Sequence, residues 1–299
     1  MRKFIISFSF ILIGIILADR LCALIMWNIN QHTHDTSGPK LKYLFNNCNQ
    51  DVCFFGASRC HSHYVPSIIS DTIGLSVYNA GVYASDNTLS HYIALNMVLS
   101  HHKPKVVCLE LAPSDYLPGD YHAVTFFAPY FGKCEQIDSV FRDINTYWQY
   151  KLCHLYRFNA KAVPNIVGLF VGKPQSEDGF LPKEKPIYIL DSLETEVKKR
   201  EYQVSDLKVK YIQKFIDRCK ECDIKLLFVV SPWYLKAHPT RYDVLKEIAR
   251  KNNIPFLDYH SNGYLQDHPE LFHDQLHLCE EGAKIYSSKF ASDLKKILN

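Results

Sequence analysis

The sequence predicts an α/β fold: a three-layer α/β/α sandwich on a parallel, flavodoxin-like sheet of about five strands. Two observations predict it. From Asp51 onward, short unbroken apolar runs alternate with amphipathic stretches, the pattern of strands covered on both faces by crossover helices. The residues that carry chemistry follow directly after such runs, at the carboxyl ends of the strands, where open parallel sheets bind ligands. With 299 residues, 47% hydrophobic and 22% charged, the chain accommodates one large domain or two small ones.

The elements follow in order. Met1-Arg2-Lys3 precedes an unbroken apolar run from Phe4 to Ala18. As a helix that run spans about 22 Å, short of the ~30 Å hydrocarbon core of a bilayer. Continued through Leu21 to Trp27 it reaches about 36 Å, enough to cross with tilt. Asp19-Arg20 interrupts the longer reading at ~2.5–3.5 kcal/mol per charge near a helix centre, less where the two pair or snorkel. A cleaved signal peptide fits worse, because cutting after Ala18 puts bulky Ile16 where a small residue is needed. Leu21-Cys22 follows two charges and makes a poor lipoprotein site. Residues 1–27 therefore read as an uncleaved single-pass anchor, with Arg2 and Lys3 on the cytoplasmic side and the remaining chain outside, on the periplasmic side of a cell membrane. Residues 28–50 begin with a stretch rich in Asn, Gln, His, Thr and Ser and read as a tether.

Residues 51–299 carry the fold. Val52–Phe55, Leu75–Tyr78 and Lys105–Leu111 read as the first three strands, with a helix from Asn87 to Leu99 before the third. Lys225–Val230 and Pro255–Tyr259 read as the last two, separated by a helix around Tyr242 to Lys251, and a closing helix runs from about Glu281 to Leu298. The stretch from about 116 to 200 breaks the alternation. It carries Phe126-Phe127, Tyr130-Phe131, Tyr147-Trp148, Tyr150 and Tyr156, then a Pro/Gly-interrupted loop from Lys173 to Pro186. It reads as a partly helical insertion capping the sheet, its aromatics packed against the main domain or else stacking on a sugar.

The formal net charge is +3, and the basic residues around Lys183, Lys185 and Lys198-Lys199-Arg200 alternate with acids, so no nucleic-acid partner is implied. The ten cysteines are irregularly spaced. Cys219-Lys220-Glu221-Cys222 has redox-motif spacing, but it falls late in an amphipathic helix and reads as two helix cysteines one turn apart.

Two clusters remain. Phe55-Gly56-Ala57-Ser58-Arg59 places a serine between the first strand and a helix, where a helix N-terminus favours developing negative charge. Alone, such a serine is equally a helix cap. His273-Asp274-Gln275-Leu276-His277 lies after the fifth strand and before the closing helix, again at the carboxyl edge. Asp274 and His277, three apart, can share one side of a turn, so that the carboxylate orients an imidazole whose other nitrogen faces Ser58. A serine hydroxyl needs such a base to become a nucleophile, and the base needs its orienting partner. His61 and His63 read as surface residues.

These residues resemble the SGNH/GDSL hydrolase superfamily, in its envelope-anchored O-acyl esterase and acetyltransferase-like branch. Its first block places the nucleophile in Gly-x-Ser after the first strand, and its last is Asp-x-x-His, matched by Asp274 to His277. Tyr78-Asn79-Ala80-Gly81-Val82-Tyr83-Ala84-Ser85 is similar to the second block. The resemblance covers roughly Asp51 to Leu111 and Lys225 to the end. It implies Ser58, Asp274 and His277 as a catalytic triad, and Asn79, Gly81, Ala84 and Ser114 around the oxyanion and substrate. It implies no cofactor and no metal. The sequence departs from the family at Ala57, where an aspartate is usual, at Ala84 for a glycine, and at Ser114 for an asparagine donor. Losing one oxyanion donor typically costs ~10²–10³ in kcat.

What the resemblance implies is hydrolysis or transfer of O-acyl esters, acetyl above all, on an envelope glycan or a small acyl ester. A second reading is a catalytically weak domain that binds glycan or a membrane acyltransferase. A third takes His273 and His277, four apart on a helix, as zinc ligands with Asp274 as base, and leaves Ser58 without a role.

Overall fold

The computed structural model describes residues 1–35, 37–82, 87–172, 176–185, 203–235 and 239–299. They form two compact units, one of residues 1–42 and 124–174, the other of residues 43–123 and 175–299.

The second unit holds the sheet. Its strands are β1 (Val52–Phe55), β2 (Val77–Asn79), β3 (Val106–Glu110), β4 (Lys225–Val230) and β5 (Phe256–Asp258). All neighbours are parallel and the order is β2-β1-β3-β4-β5, the flavodoxin-like order expected. Val52 registers with Val77 on one side and Val106 on the other, and Cys108 with Leu227, so the carboxyl ends of β1, β3 and β4 finish along one edge. β1 and β3 are buried throughout, as continuous apolar runs in a doubly covered sheet must be.

The strand period of two divides these runs between the faces. Val52, Phe54, Val106, Cys108, Leu227 and Val229 share one core with Tyr286, Phe290 and Leu294, which lie on the closing helix. On the other face Phe55 meets Phe215 edge-on, ring centroids 6.0 Å apart. In the helical layers, α1 (Arg2–His32) and α2 (Gly38–Asn46) precede the sheet. α3 (Ser58–His63) and α4 (Pro66–Ile73) follow β1, and α5 (Thr88–Leu99) follows β2. α6 (Glu135–Asp143), α7 (Tyr147–Leu152) and α8 (Ala162–Val167) belong to the first unit. α9 (Asp206–Glu221), α10 (Asp243–Asn252) and α11 (Glu280–Leu298) complete the second. α11 packs on α3 and α4, and α5 packs on α9, which gives the three layers. α5 is apolar on nearly all sides and buried from Thr88 to Val98, and Asn87 caps it through its Oδ1, 3.0 Å from the Ser90 N–H.

Three expectations need correction. The stretch 28–50 is not a tether: α1 continues to His32, and α2 follows, with Leu41, Leu44 and Cys48 buried. Its polar residues concealed three apolar side chains at helical spacing. The insertion is also shorter than expected. Residues 124–174 form a unit with the N-terminal 42 residues, whereas 176–185 belong to the sheet unit, where Phe180 enters the core and the Leu181 N–H donates to the His61 carbonyl at 3.0 Å. Residues 186–200 lie outside the described residues. Finally, the insertion's aromatics pack on one another: Phe131 lies 5.5 Å from Phe141 and 5.3 Å from Tyr147, and Tyr150 lies 4.7 Å from Phe141 and 5.3 Å from Tyr156. Phe131, Phe141 and Tyr150 bury one another's faces and are not free to stack on a sugar, whereas Trp148 is exposed.

All ten cysteines are free thiols, and Cys219 sits near the end of α9 with Cys222 as its C-cap.

Candidate active site

β1 ends at Phe55 and the chain leaves the sheet through Gly56, whose φ is +158°. A Cβ there would lie 2.7 Å from the Cys60 Cβ and 2.8 Å from the Glu110 Cβ, so only glycine lets α3 start this close to β3. Ser58 is the first residue of α3, and its backbone N–H is one of those a helix start leaves without an intrahelical acceptor.

His277 arrives from the other end of the unit. Residues 273–277 form a tight loop closed by a bridge between Phe272 and Leu278, with the His273 N–H donating to the His277 carbonyl at 2.8 Å. The loop brings Ser58 Oγ to 2.8 Å from His277 Nε2. His277 Nδ1 lies 2.9 Å from both carboxylate oxygens of Asp274. Asp274 Oδ1 also accepts the backbone N–H groups of Leu276 at 2.8 Å and His277 at 2.9 Å. Partial burial raises the Asp274 pKa, but the His277 ring and these N–H donors outweigh it and hold the carboxyl at about 2. An ionised Asp274 requires the proton on Nδ1, which leaves Nε2 as acceptor for the Ser58 hydroxyl.

The zinc reading fails on the same loop. Residues 273–277 are not helical, so His273 and His277 do not share a helix face. His273 Nδ1 instead donates to the Glu184 carbonyl at 2.7 Å.

The second block serves a different purpose from the one expected. Asn79 is buried. Its Nδ2 donates to the carbonyls of Cys60 at 2.7 Å and Tyr64 at 2.9 Å, and its Oδ1 accepts the Gly81 N–H at 3.1 Å. Asn79 thus clamps α3, and the Gly81 N–H is occupied by Asn79 instead of facing substrate. A Cβ on Gly81 would lie 2.5 Å from the His61 nitrogen, which fixes glycine for close approach to α3. Ala84 lies outside the described residues. Ser114, in the loop after β3, lines a cleft of about 360 Å³ together with Ser58 and His277. Leu117, Trp233 and Arg241 line the same cleft, and Arg59 and Arg241 place their guanidinium carbons 4.6 Å and 5.0 Å from the centroid of the Trp233 ring.

Beneath Ser58, His277 and Asp274 lies a buried polar tier that sequence reasoning missed. His63, expected at the surface, is fully buried: its Nε2 accepts the Leu278 N–H at 3.0 Å, and its Nδ1 lies 2.9 Å from Ser231 Oγ. Ser231 Oγ donates to Glu110 Oε1 at 2.7 Å, and the Ser231 N–H lies 3.1 Å from both carboxylate oxygens. Tyr64 donates its hydroxyl to Glu110 Oε2, and Arg59 Nε stands 3.5 Å from Oε1. Arg59 further donates to the Leu111 carbonyl at 2.9 Å. Burial pushes the Glu110 pKa up against the pull of Arg59, Tyr64 and Ser231. Burial, then the neighbouring His277 and Arg59 charges, hold the His63 pKa well below the ordinary value, so His63 is the neutral Nδ1–H tautomer. His61 is buried as well.

No protein-family model and no curated protein matches the chain. Among solved structures, it is similar to one described as a lipolytic protein of the G-D-S-L family from Desulfitobacterium hafniense DCB-2, with 13% identity, 81% of this chain and 97% of that chain covered, and a TM-score of 0.42. It is similar to an acetyl xylan esterase at 14% identity, covering 81% of this chain and 98% of that one, TM-score 0.41. A structure described as an acylhydrolase from Bacteroides fragilis NCTC 9343 follows at 12% identity, 85% and 95% coverage, and a TM-score of 0.39.

Proposed function

We propose that the protein is a serine-dependent ester hydrolase or acyl transferase acting on O-acyl, chiefly O-acetyl, groups of a cell-envelope glycan. The observation that carries the reading is the continuous hydrogen-bonded line from Ser58 Oγ through His277 to Asp274, at 2.8 Å and 2.9 Å. A serine used only as a helix cap has no need of a base at that distance backed by an ionised carboxylate.

On this reading Ser58 Oγ attacks the ester carbonyl carbon as His277 Nε2 takes its proton, and the carbonyl electron pair moves onto oxygen. On this reading the Ser58 N–H and the Ser114 hydroxyl, both from residues that line the cleft, stabilise that oxyanion, with Ala84 offered by the resemblance as a third donor. Collapse of the tetrahedral intermediate breaks the bond to the alcohol oxygen, which leaves with the proton held on His277. Water, or an acceptor hydroxyl, then repeats the sequence on the Ser58 acyl ester. Asp274 keeps the imidazole in the correct tautomer and stabilises the imidazolium without itself taking the proton.

Acetate release from an O-acetylated polysaccharide and turnover of a short aryl acetate test the reading. Both are expected for the full-length protein and absent for Ser58→Ala. Turnover of either substrate that persists in Ser58→Ala would overturn it.

A further inference from the structure

Asp19 and Arg20 are an anomaly in a membrane helix, and the first unit shows how they are accommodated. Asp19 accepts the backbone N–H groups of His154 and Leu155, each at 2.9 Å, and lies 3.1 Å from Cys153 Sγ. Arg20 pairs with Asp19 and donates to the Leu152 carbonyl at 3.2 and 3.3 Å. From this point α1 is part of a folded base: Ala23 and Met26 are buried with Phe158, and Trp27, Ile29 and Ala162 pack on them. Before it, Phe4 to Leu17 are bare, and Gly14 meets nothing.

The base is bare on its own apolar side. Among the described residues, ten of the thirteen exposed large apolar side chains that follow α1 fall between Trp148 and Val171. Trp148 on α7 is 68% exposed and Leu152 69%, Val163 on α8 is 70%, and Phe170 just beyond it 84%. Leu21, Leu24 and Ile25 of α1 are exposed too, so the apolar surface continues from the bare half of the helix onto its folded half. Contiguous apolar surface of this kind marks contact with a partner or a membrane.

We infer that the surface of residues 148–171 docks into the bilayer that α1 enters, sinking the base of the first unit into the boundary between headgroups and acyl chains. Lengths favour lipid over a protein partner. The uninterrupted apolar part of α1 spans about 22 Å against a hydrocarbon core of ~30 Å. Interfacial apolar surfaces sit about 5–10 Å deep, which supplies the missing length and places Asp19-Arg20, neutralised by each other and by backbone groups, within the immersed base. The inference rests on α1 as a membrane anchor and is independent of the esterase reading.

The test uses full-length protein reconstituted in phosphatidylcholine vesicles carrying bromine on the upper acyl chain, with unbrominated vesicles as reference. Trp148 emission is obtained as the difference between wild type and Trp148→Phe. Docking predicts at least about twofold quenching by bromolipid and little quenching by aqueous iodide, as for a ring at interfacial depth. The pair Val163→Asp/Phe170→Asp, both exposed in the fold, should reverse that preference while an unchanged far-ultraviolet circular dichroism spectrum and urea midpoint report an intact fold. Resistance to alkaline carbonate reads α1 separately. Iodide-quenched Trp148 in a carbonate-resistant protein overturns the docking surface and keeps the anchor. Release by carbonate overturns both.

Discussion

The loop that carries Asp274 and His277 and the tier formed by His63, Ser231, Glu110 and Arg59 lie against one another, yet they hold charge in opposite ways. Asp274 is partly open to solvent, takes two backbone N–H groups and the His277 ring, and is held at about 2. Glu110 is fully buried and its pKa is pushed up, with Arg59 and three hydrogen-bonding groups offsetting the loss of water. Each arrangement suits its work. On the proposed mechanism the loop supplies a permanent anion beside the ring that takes the Ser58 proton. The tier needs no reactivity, only a fixed geometry linking α3, β3, β4 and the residue after His277. The Leu278 N–H on His63 Nε2 ties the two together, so the position of His277 depends on a histidine that burial holds in its neutral form.

Substitutions separate the two regions. The largest effect belongs to the loop: Asp274→Asn preserves shape but favours the wrong imidazole tautomer, so kcat should fall by about 10³–10⁴ with the unfolding midpoint little changed. A loss confined to KM would break the assignment. Next comes the tier, where the sign of the comparison inverts. Glu110→Gln leaves the Arg59 guanidinium buried without its counter-charge and should cost about 3–5 kcal/mol in urea unfolding, while Glu110→Gln with Arg59→Met recovers much of it. Equal losses in the single and double variants would show that the pair is not coupled.

The boundary between the regions is also the boundary of what the sequence made legible. β1 and β4 end where their apolar runs end, because a doubly covered strand is apolar at every position. β2 begins two residues later than its run, since Ser76 turns to bond Asp51. The meeting of Ser58, Asp274 and His277 was legible because Ser58 follows the first apolar run, and Asp274 and His277, three apart, can share one turn at the same sheet edge. The tier was not, since Arg59, His61 and His63 look like the polar face of a surface helix. One signal was present: Glu110 is a carboxylate inside the apolar run Val106–Leu111, where burial obliges an ionic partner. Asn79 and Gly81 were expected around the oxyanion and substrate, and instead Asn79 bonds the Cys60 and Tyr64 carbonyls and the Gly81 N–H, because sequence cannot say whether a buried amide faces substrate or backbone.

Two smaller effects sharpen the contrast. Ser114→Asn puts a longer donor into the cleft and should raise kcat, by up to about 10²-fold, with KM nearly unchanged, while Ser114→Ala lowers it. No response to either change would remove Ser114 from the oxyanion site. In the tier, His63 refuses a proton that it accepts once unfolded. Stability should therefore rise with pH below the ordinary histidine value near 6.5 and level off above it, by about 1.4 kcal/mol per pH unit for one proton. His260, held at about 3 by burial and by Arg59, adds to the same slope. His63→Gln should remove one proton's share of the slope between pH 5 and 6, and an unchanged slope would mean that His63 titrates normally in the fold.

The most direct measurement is the site of covalent modification by a fluorophosphonate, mapped by peptide mass spectrometry in wild type, Asp274→Asn and His277→Ala. A nucleophile activated through the 2.8 Å contact predicts one adduct, on Ser58, formed rapidly in wild type, far more slowly in Asp274→Asn and not at all in His277→Ala. Equal labelling of Ser58 in His277→Ala, or an adduct on a different serine, would contradict the account.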